Sequence, residues 1–145
     1  MANADDRTIP LTITLRYAHP LGELAPYFQG LDAGRAIATR CPTCARTWFP
    51  PRLSCPEHGA ATVWTDLSGK GRIVSVSIAD STLPFGAETA RRAFLMVALD
   101  GAENLAFGRF AGAPDAARAG LKVRLARAPG TWPHPAQAAW FVADE

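Results

Sequence analysis

A chain of 145 residues with 48% hydrophobic content is long enough to bury a core, as one compact unit or two small ones. Fifteen Lys and Arg against thirteen Asp and Glu leave a formal net charge of +2, which gives no electrostatic footprint for nucleic acid or an anionic membrane. Three cysteines cannot pair completely, no apolar run reaches the roughly 20 residues that span a bilayer, and the start of the chain lacks an export signal. The expected setting is a reducing cytoplasm, where close-set cysteines hold metal rather than disulfides.

Residues 1–20 read as a polar-to-mixed lead-in that ends at Pro20. Leu24, Tyr27, Phe28 and Leu31 recur at intervals of three and four, which predicts a short helix with one apolar face. Pro26 is tolerated in its first turn, and Gly34 suits the left-handed residue after its last. Three turns cannot hold themselves together, so the helix must dock on something. Residues 21–65 form one unit, the helix followed by the cysteine region, and 66–145 a second.

In that second unit the pattern changes to period two. Val74, Val76 and Ile78 alternate with Ser75 and Ser77, and Leu121, Val123 and Leu125 with Lys122 and Arg124, as half-buried strands require. Phe94–Leu99 is a continuous apolar run suited to a central strand, and Leu105–Ala111 and Ala139–Val142 complete a set of five. Between the third and fourth, Pro114 to Gly120 predicts one helical turn closed by glycine. Five short strands with that insertion fit a closed barrel of the OB type, although a meander or open sandwich leaves the same pattern.

The chemistry is concentrated in Cys41-Pro42-Thr43-Cys44, ten residues, then Cys55-Pro56-Glu57-His58-Gly59. A two-residue gap lets a tight turn present two side chains to one ion, and two such turns supply a tetrahedron. The expected ligands are Cys41, Cys44, Cys55 and His58, and the expected ion a structural zinc, because four protein ligands leave no position for water. The histidine in place of a fourth cysteine leaves the site at minus one rather than minus two. Ala45 stands where glycine follows the first turn, which predicts local strain, whereas the second turn keeps Gly59. A zinc deaminase is excluded, since its chemistry needs glutamate two residues after the histidine and Ala60 stands there.

The string PYFQGL…CPTC…FPPR…CPEHG followed by SGKGRIVSVSIAD resembles the DUF35 family, from about residue 25 to the C-terminus. The resemblance implies a rubredoxin-like zinc ribbon followed by a five-stranded OB-fold barrel. It also implies a non-catalytic subunit of an acyl-CoA thiolase or acyltransferase complex, in pathways such as aromatic or steroid degradation. The thiolase-like catalytic partner would then hold most of the CoA thioester. Family members also partner acyl-CoA retro-aldolases and hydratases.

No catalytic motif stands on this chain alone: it carries no G-x-S-x-G elbow and no phosphate-cradling glycine loop, and His19 and His134 are lone histidines. Tyr27, Phe28, Leu83 and Phe85 are candidate partner anchors, and Arg91 and Arg92 candidate contacts to CoA phosphates. The competing class is a single-stranded nucleic-acid-binding OB module. Phe107 and Phe110 are expected on opposite faces of their strand, so that pair forms no stacking platform.

Overall fold

Where the apolar period of the helix ends, the chain has to turn, and Gly34 provides the turn. In a computed structural model describing residues 8–83, 88–130 and 139–145, helix α1 spans Ala25–Asp32 behind a 3-10 turn at Gly22–Leu24. Gly34 follows with φ of +71°. A Cβ there would stand 2.5 Å from the Arg127 nitrogen, so glycine also lets the helix end press against the barrel. Leu31, on the apolar face, is buried in the main core, with Tyr27 and Phe28 packed beside it. This is the docking that so short a helix needs.

A three-stranded antiparallel sheet follows, in the order β2-β1-β3: β1 Ala36–Arg40, β2 Thr47–Trp48 and β3 Val63–Leu67. These strands were hidden in the sequence by their brevity and by the turns between them. Ala36 and Ala38 of β1 point into the main core, and so does Phe49 just after β2. The ribbon and the barrel therefore share one apolar interior.

The remaining strands are β4 Lys70–Thr82, β5 Thr89–Leu99, β6 Leu105–Phe110, β7 Lys122–Ala126 and β8 Trp140–Ala143. They close into a barrel in the order β4-β5-β6-β8-β7, with β6 and β8 parallel and the other pairs antiparallel. The closure, with one parallel pair, is that of an OB barrel and removes the meander and open-sandwich alternatives. A 3-10 turn at Pro114–Ala116 occupies the predicted insertion, and Gly120 ends it at φ +84°.

One strand reading changes on contact with the structure and another gains detail. A bulge between Ile73 and Ser75 re-phases β4, so Ile73 is buried and Val74 faces out, while Val76 and Ile78 turn in beyond it. The run Phe94–Leu99 is not uniformly buried: Leu95, Val97 and Leu99 point inward, and Phe94 and Met96 lie half-buried on the outer wall. The strand is central, as the run predicts, lying between β4 and β6, and its unbroken apolarity reflects a partly covered exterior as well as the core. Among the described residues no helix is long and apolar enough to cross a membrane.

Candidate metal centre

Each cysteine turn closes with the same two backbone bonds. Cys41 N–H donates to the Arg46 carbonyl at 2.8 Å and Ala45 N–H to the Cys41 carbonyl at 2.9 Å. In the second turn Cys55 N–H donates to the Ala60 carbonyl at 2.9 Å and Gly59 N–H to the Cys55 carbonyl at 2.8 Å. The closing residue is left-handed in both, at φ 62° for Ala45 and 63° for Gly59. Alanine thus occupies a conformation that costs an L-residue roughly 1–2 kcal/mol, as the sequence led us to expect.

The two turns converge. Cys44 Sγ and Cys55 Sγ stand 3.9 Å apart, Cys41 Sγ and His58 Nδ1 3.9 Å, and Cys55 Sγ and His58 Nδ1 3.3 Å. All four ligand atoms lie within 4.8 Å of one another. Two sulfurs each about 2.3 Å from one tetrahedral ion stand about 3.8 Å apart, so the set is spaced to hold a metal ion. Burial is graded across the site: Cys41 and Cys55 are enclosed, Cys44 is half-buried, and His58 closes the solvent side.

Backbone amides prepare the sulfurs for charge. The amide of Cys44, then that of Thr43, holds the Cys41 thiol below its ordinary value against the effect of burial. Burial pushes the Cys55 thiol up, but the amides of Glu57 and His58 and the other two sulfurs bring it below its ordinary value. Cys44 accepts the Arg46 amide, yet burial and its two sulfur neighbours raise it overall. Three thiols crowded this way resist losing all their protons without a cation among them.

The surroundings fix the turns. Trp48 packs against Cys41 and Cys55 as an apolar wall. Arg46 and Glu57 form an ion pair from one turn to the other. The Thr39 hydroxyl donates to the Arg52 carbonyl at 2.8 Å and accepts from the Arg52 N–H at 2.9 Å, tying the connection between the turns to β1. From the barrel side, Asn104 Oδ1 accepts from Phe49 N–H at 2.8 Å and Asn104 Nδ2 donates to the Pro50 carbonyl at 2.9 Å. Sequence reading missed Asn104, since a lone asparagine beyond an Asp-Gly turn carries no signal of a contact so far along the chain.

The candidate partner contacts are scattered. Tyr27 lies edge-on to Phe49 with ring centres 5.4 Å apart, and burial pushes its hydroxyl up to about 12, so core packing accounts for it; Phe28 packs there too. Leu83 is half-buried, and Phe85, like His134, lies outside the described residues. Arg91 is paired with Asp115 at 2.9 Å. Arg92 donates to the carbonyls of Ser81 and Ala90, and it lines a cleft of about 200 Å³ with Arg91, Arg109, Phe110 and Trp140. Arg109 was not among the expected phosphate contacts. Its guanidinium stacks 4.9 Å from the Trp140 ring centre, and burial followed by the charge of Arg92 lowers its affinity for the proton.

Phe107 is exposed and Phe110 buried, on opposite faces as the alternation predicts. A different pair shares the outer wall: Phe94 and Phe107 stack with ring centres 6.0 Å apart and planes 7° from parallel.

No protein-family model matches the chain, and no curated protein matches its sequence. Among solved structures the fold resembles a protein of unknown function from the DUF35 family of Sulfolobus solfataricus. That match has a TM-score of 0.59 and 16% identity over 82% of this chain and 83% of the other. It also resembles a chain of the Ltp2-ChsH2(DUF35) aldolase, with a TM-score of 0.62 and 22% identity over 88% of this chain and 98% of that one. The DUF35 resemblance read from the motifs is thus met by a shared fold.

Proposed function

We propose that the chain is a zinc-holding, non-catalytic subunit of an enzyme that makes or breaks carbon–carbon bonds in CoA thioesters. It docks on a catalytic chain of the thiolase or aldolase type and shapes access for the CoA-linked substrate. The observation that carries this reading is a likeness spanning 98% of a chain in the Ltp2-ChsH2(DUF35) aldolase, in a molecule whose three cysteines and His58 lie close enough together to hold one metal ion. Among the described residues no nucleophile and base stand together outside that centre, so the bond chemistry falls to the partner.

Zinc is the ion that three thiolates and an imidazole at tetrahedral spacing favour, and such a closed set does structural work. Elemental analysis of protein purified without added metal returns one zinc per chain, and Cys55→Ser abolishes it; protein free of zinc with three titratable thiols rejects the assignment.

The cleft at Arg92 and Arg109 suits the phosphates of the CoA moiety, because guanidinium groups bind phosphate through paired donors. Arg91 contributes less, being engaged by Asp115. With the catalytic chain encoded beside it, Arg92→Ala combined with Arg109→Ala raises the apparent KM for the CoA substrate roughly tenfold or more, at about 1.5–3 kcal/mol per charged hydrogen bond. An unchanged KM removes the phosphate contact, and full activity of the catalytic chain alone removes the subunit role.

A second reading has one observation in its favour. The stacked Phe94 and Phe107, with Arg109 over Trp140, put aromatic and cationic groups on the outer face of β5, β6 and β8, where OB folds bind single strands. Tight, salt-sensitive binding of a random oligonucleotide supports that reading over the first.

A further inference from the structure

Ile9, Leu11, Ile13, Leu15 and Tyr17 alternate with Pro10, Thr12, Thr14 and Arg16 without a break, and the five apolar side chains are 78 to 82% exposed. The segment belongs to no helix or strand. Its period is that of a strand with one apolar face, its polar face carries the β-forming Thr12 and Thr14, and Pro10 stands at the strand's start, where a missing N–H costs least. Burying the five side chains removes about 500 Å² of apolar surface from water, more than half of the roughly 800 Å² each partner gives to a stable interface. A lone strand has no stability in water and needs a sheet to join.

Among the described residues several strand edges lack a backbone partner, including β4 beyond Ile73 and the start of β5, and β3 is the one that exposes large apolar side chains, Val63 and Trp64, on both of its faces. Strand β3 lies at the edge of the ribbon sheet and pairs with β1 alone, and among the described residues no backbone hydrogen bond uses its outer side. Val63 is exposed on one face of that edge; Trp64 and Asp66 are exposed on the other. Arg16 is the only charge in residues 9–17, and it sits on the polar face of the donor segment. With the apolar stripe beside Val63, Arg16 falls on the side of Trp64 and Asp66; the Asp66 carboxylate is already paired with Arg35 at 3.1 Å, so what Arg16 gains there is the exposed Trp64 ring beside an existing ion pair it can share. We propose that residues 9–17 of one copy add as a strand to the β3 edge of a second copy, and that the reciprocal exchange makes a two-fold dimer. The dimer needs only this chain, so it stands independently of the acyl-CoA reading.

Light scattering of the purified full-length protein gives twice the chain mass. Ile13→Asp combined with Leu15→Asp returns it to the chain mass with metal content and circular dichroism unchanged. In the dimer, hydrogen exchange slows at residues 9–17 and 63–67 together. A synthetic peptide of residues 8–18 added to the unaltered protein halves its mass, a measurement that holds even if the double variant misfolds. A monomer at all concentrations, a dimer that survives both the substitutions and the peptide, or protection at 9–17 without 63–67 overturns the proposal. So does a chain that is monomeric alone and protects residues 9–17 only against a co-expressed catalytic chain, which assigns the strand to that chain instead.

Discussion

Strands β1 to β3 surround three sulfurs, Trp48 and an ion-paired surface, whereas β4 to β8 close around Ile73, Leu95, Val97, Val123 and Phe141. The ribbon has a small apolar cluster of its own, Cys41, Trp48 and Cys55, too little to offset the entropy of ordering some thirty residues. The barrel has enough. On the proposed zinc reading the difference is one of mechanism: coordination organises the first region and burial the second, and Phe49 with Asn104 couples them. Each half can be broken by its own perturbation, and the size of the response measures how independent they are.

The largest effect is expected from taking the ion away. Metal binding in small ribbons is worth about 10 kcal/mol or more, and that free energy is their folding free energy. A strong chelator should speed hydrogen exchange first across residues 36–67, with β5 to β8 following later. Equal exchange before and after complete metal removal would show that the ribbon stands on packing after all.

Next comes the barrel's own core. Phe141 is fully enclosed and its ring lies directly over Gly108, where a Cβ would come within 2.5 Å of Phe141 Cε2. Phe141→Ala should cost about 3–5 kcal/mol in chemical denaturation through the cavity it leaves. Gly108→Ala, which forces the ring aside, should cost about 1–3 kcal/mol. Metal content at equilibrium should stay at the wild-type value in both while the chain remains folded, since neither residue touches the ligands.

The coupling between the halves is smaller and sharper. Asn104→Ala strips the Phe49 N–H and the Pro50 carbonyl of their partners in a part-buried corner and should cost about 1–3 kcal/mol. A Thr39→Val change removes a hydroxyl that both donates to and accepts from Arg52, but on the ribbon side alone. If the halves are coupled through Asn104, its variant should speed exchange in both regions and Thr39→Val in the ribbon only; matched exchange patterns from the two would refute the coupling.

How much of this was legible in the sequence follows the same division. The candidate metal centre could be read because its four residues are close in sequence and spaced as a single ion would demand, and the barrel because alternation in Leu121 to Leu125 is a local consequence of burial on one side. What stayed hidden depends on contacts distant in the chain. The bulge at Ile73 shifts the phase that Val74, Val76 and Ile78 suggested, the Phe94–Phe107 stack pairs residues from two strands, and Asn104 acts across some fifty-five positions. The alternation from Ile9 to Tyr17 was visible, but a lead-in expectation based on polarity and on Pro20 passes over it, and only exposure on all five apolar positions brings it forward.

The smallest effect tests the two cysteine turns against each other. They close with the same pair of backbone hydrogen bonds and on a left-handed residue near φ 62°, which is Ala45 in the first and Gly59 in the second. Ala45 carries a Cβ in a conformation that disfavours it, so Ala45→Gly relieves about 1 kcal/mol of local strain, offset in part by the extra freedom glycine has when unfolded. The net expectation is a stabilisation of a few tenths to 1 kcal/mol. Gly59→Ala imposes the same strain on the second turn, where nothing lies within 4 Å of the added Cβ, so its cost comes from φ alone. The two substitutions should therefore shift metal-dependent stability in opposite directions by similar amounts; shifts of the same sign would mean that the turns, alike in backbone, are not alike in what the ion demands of them.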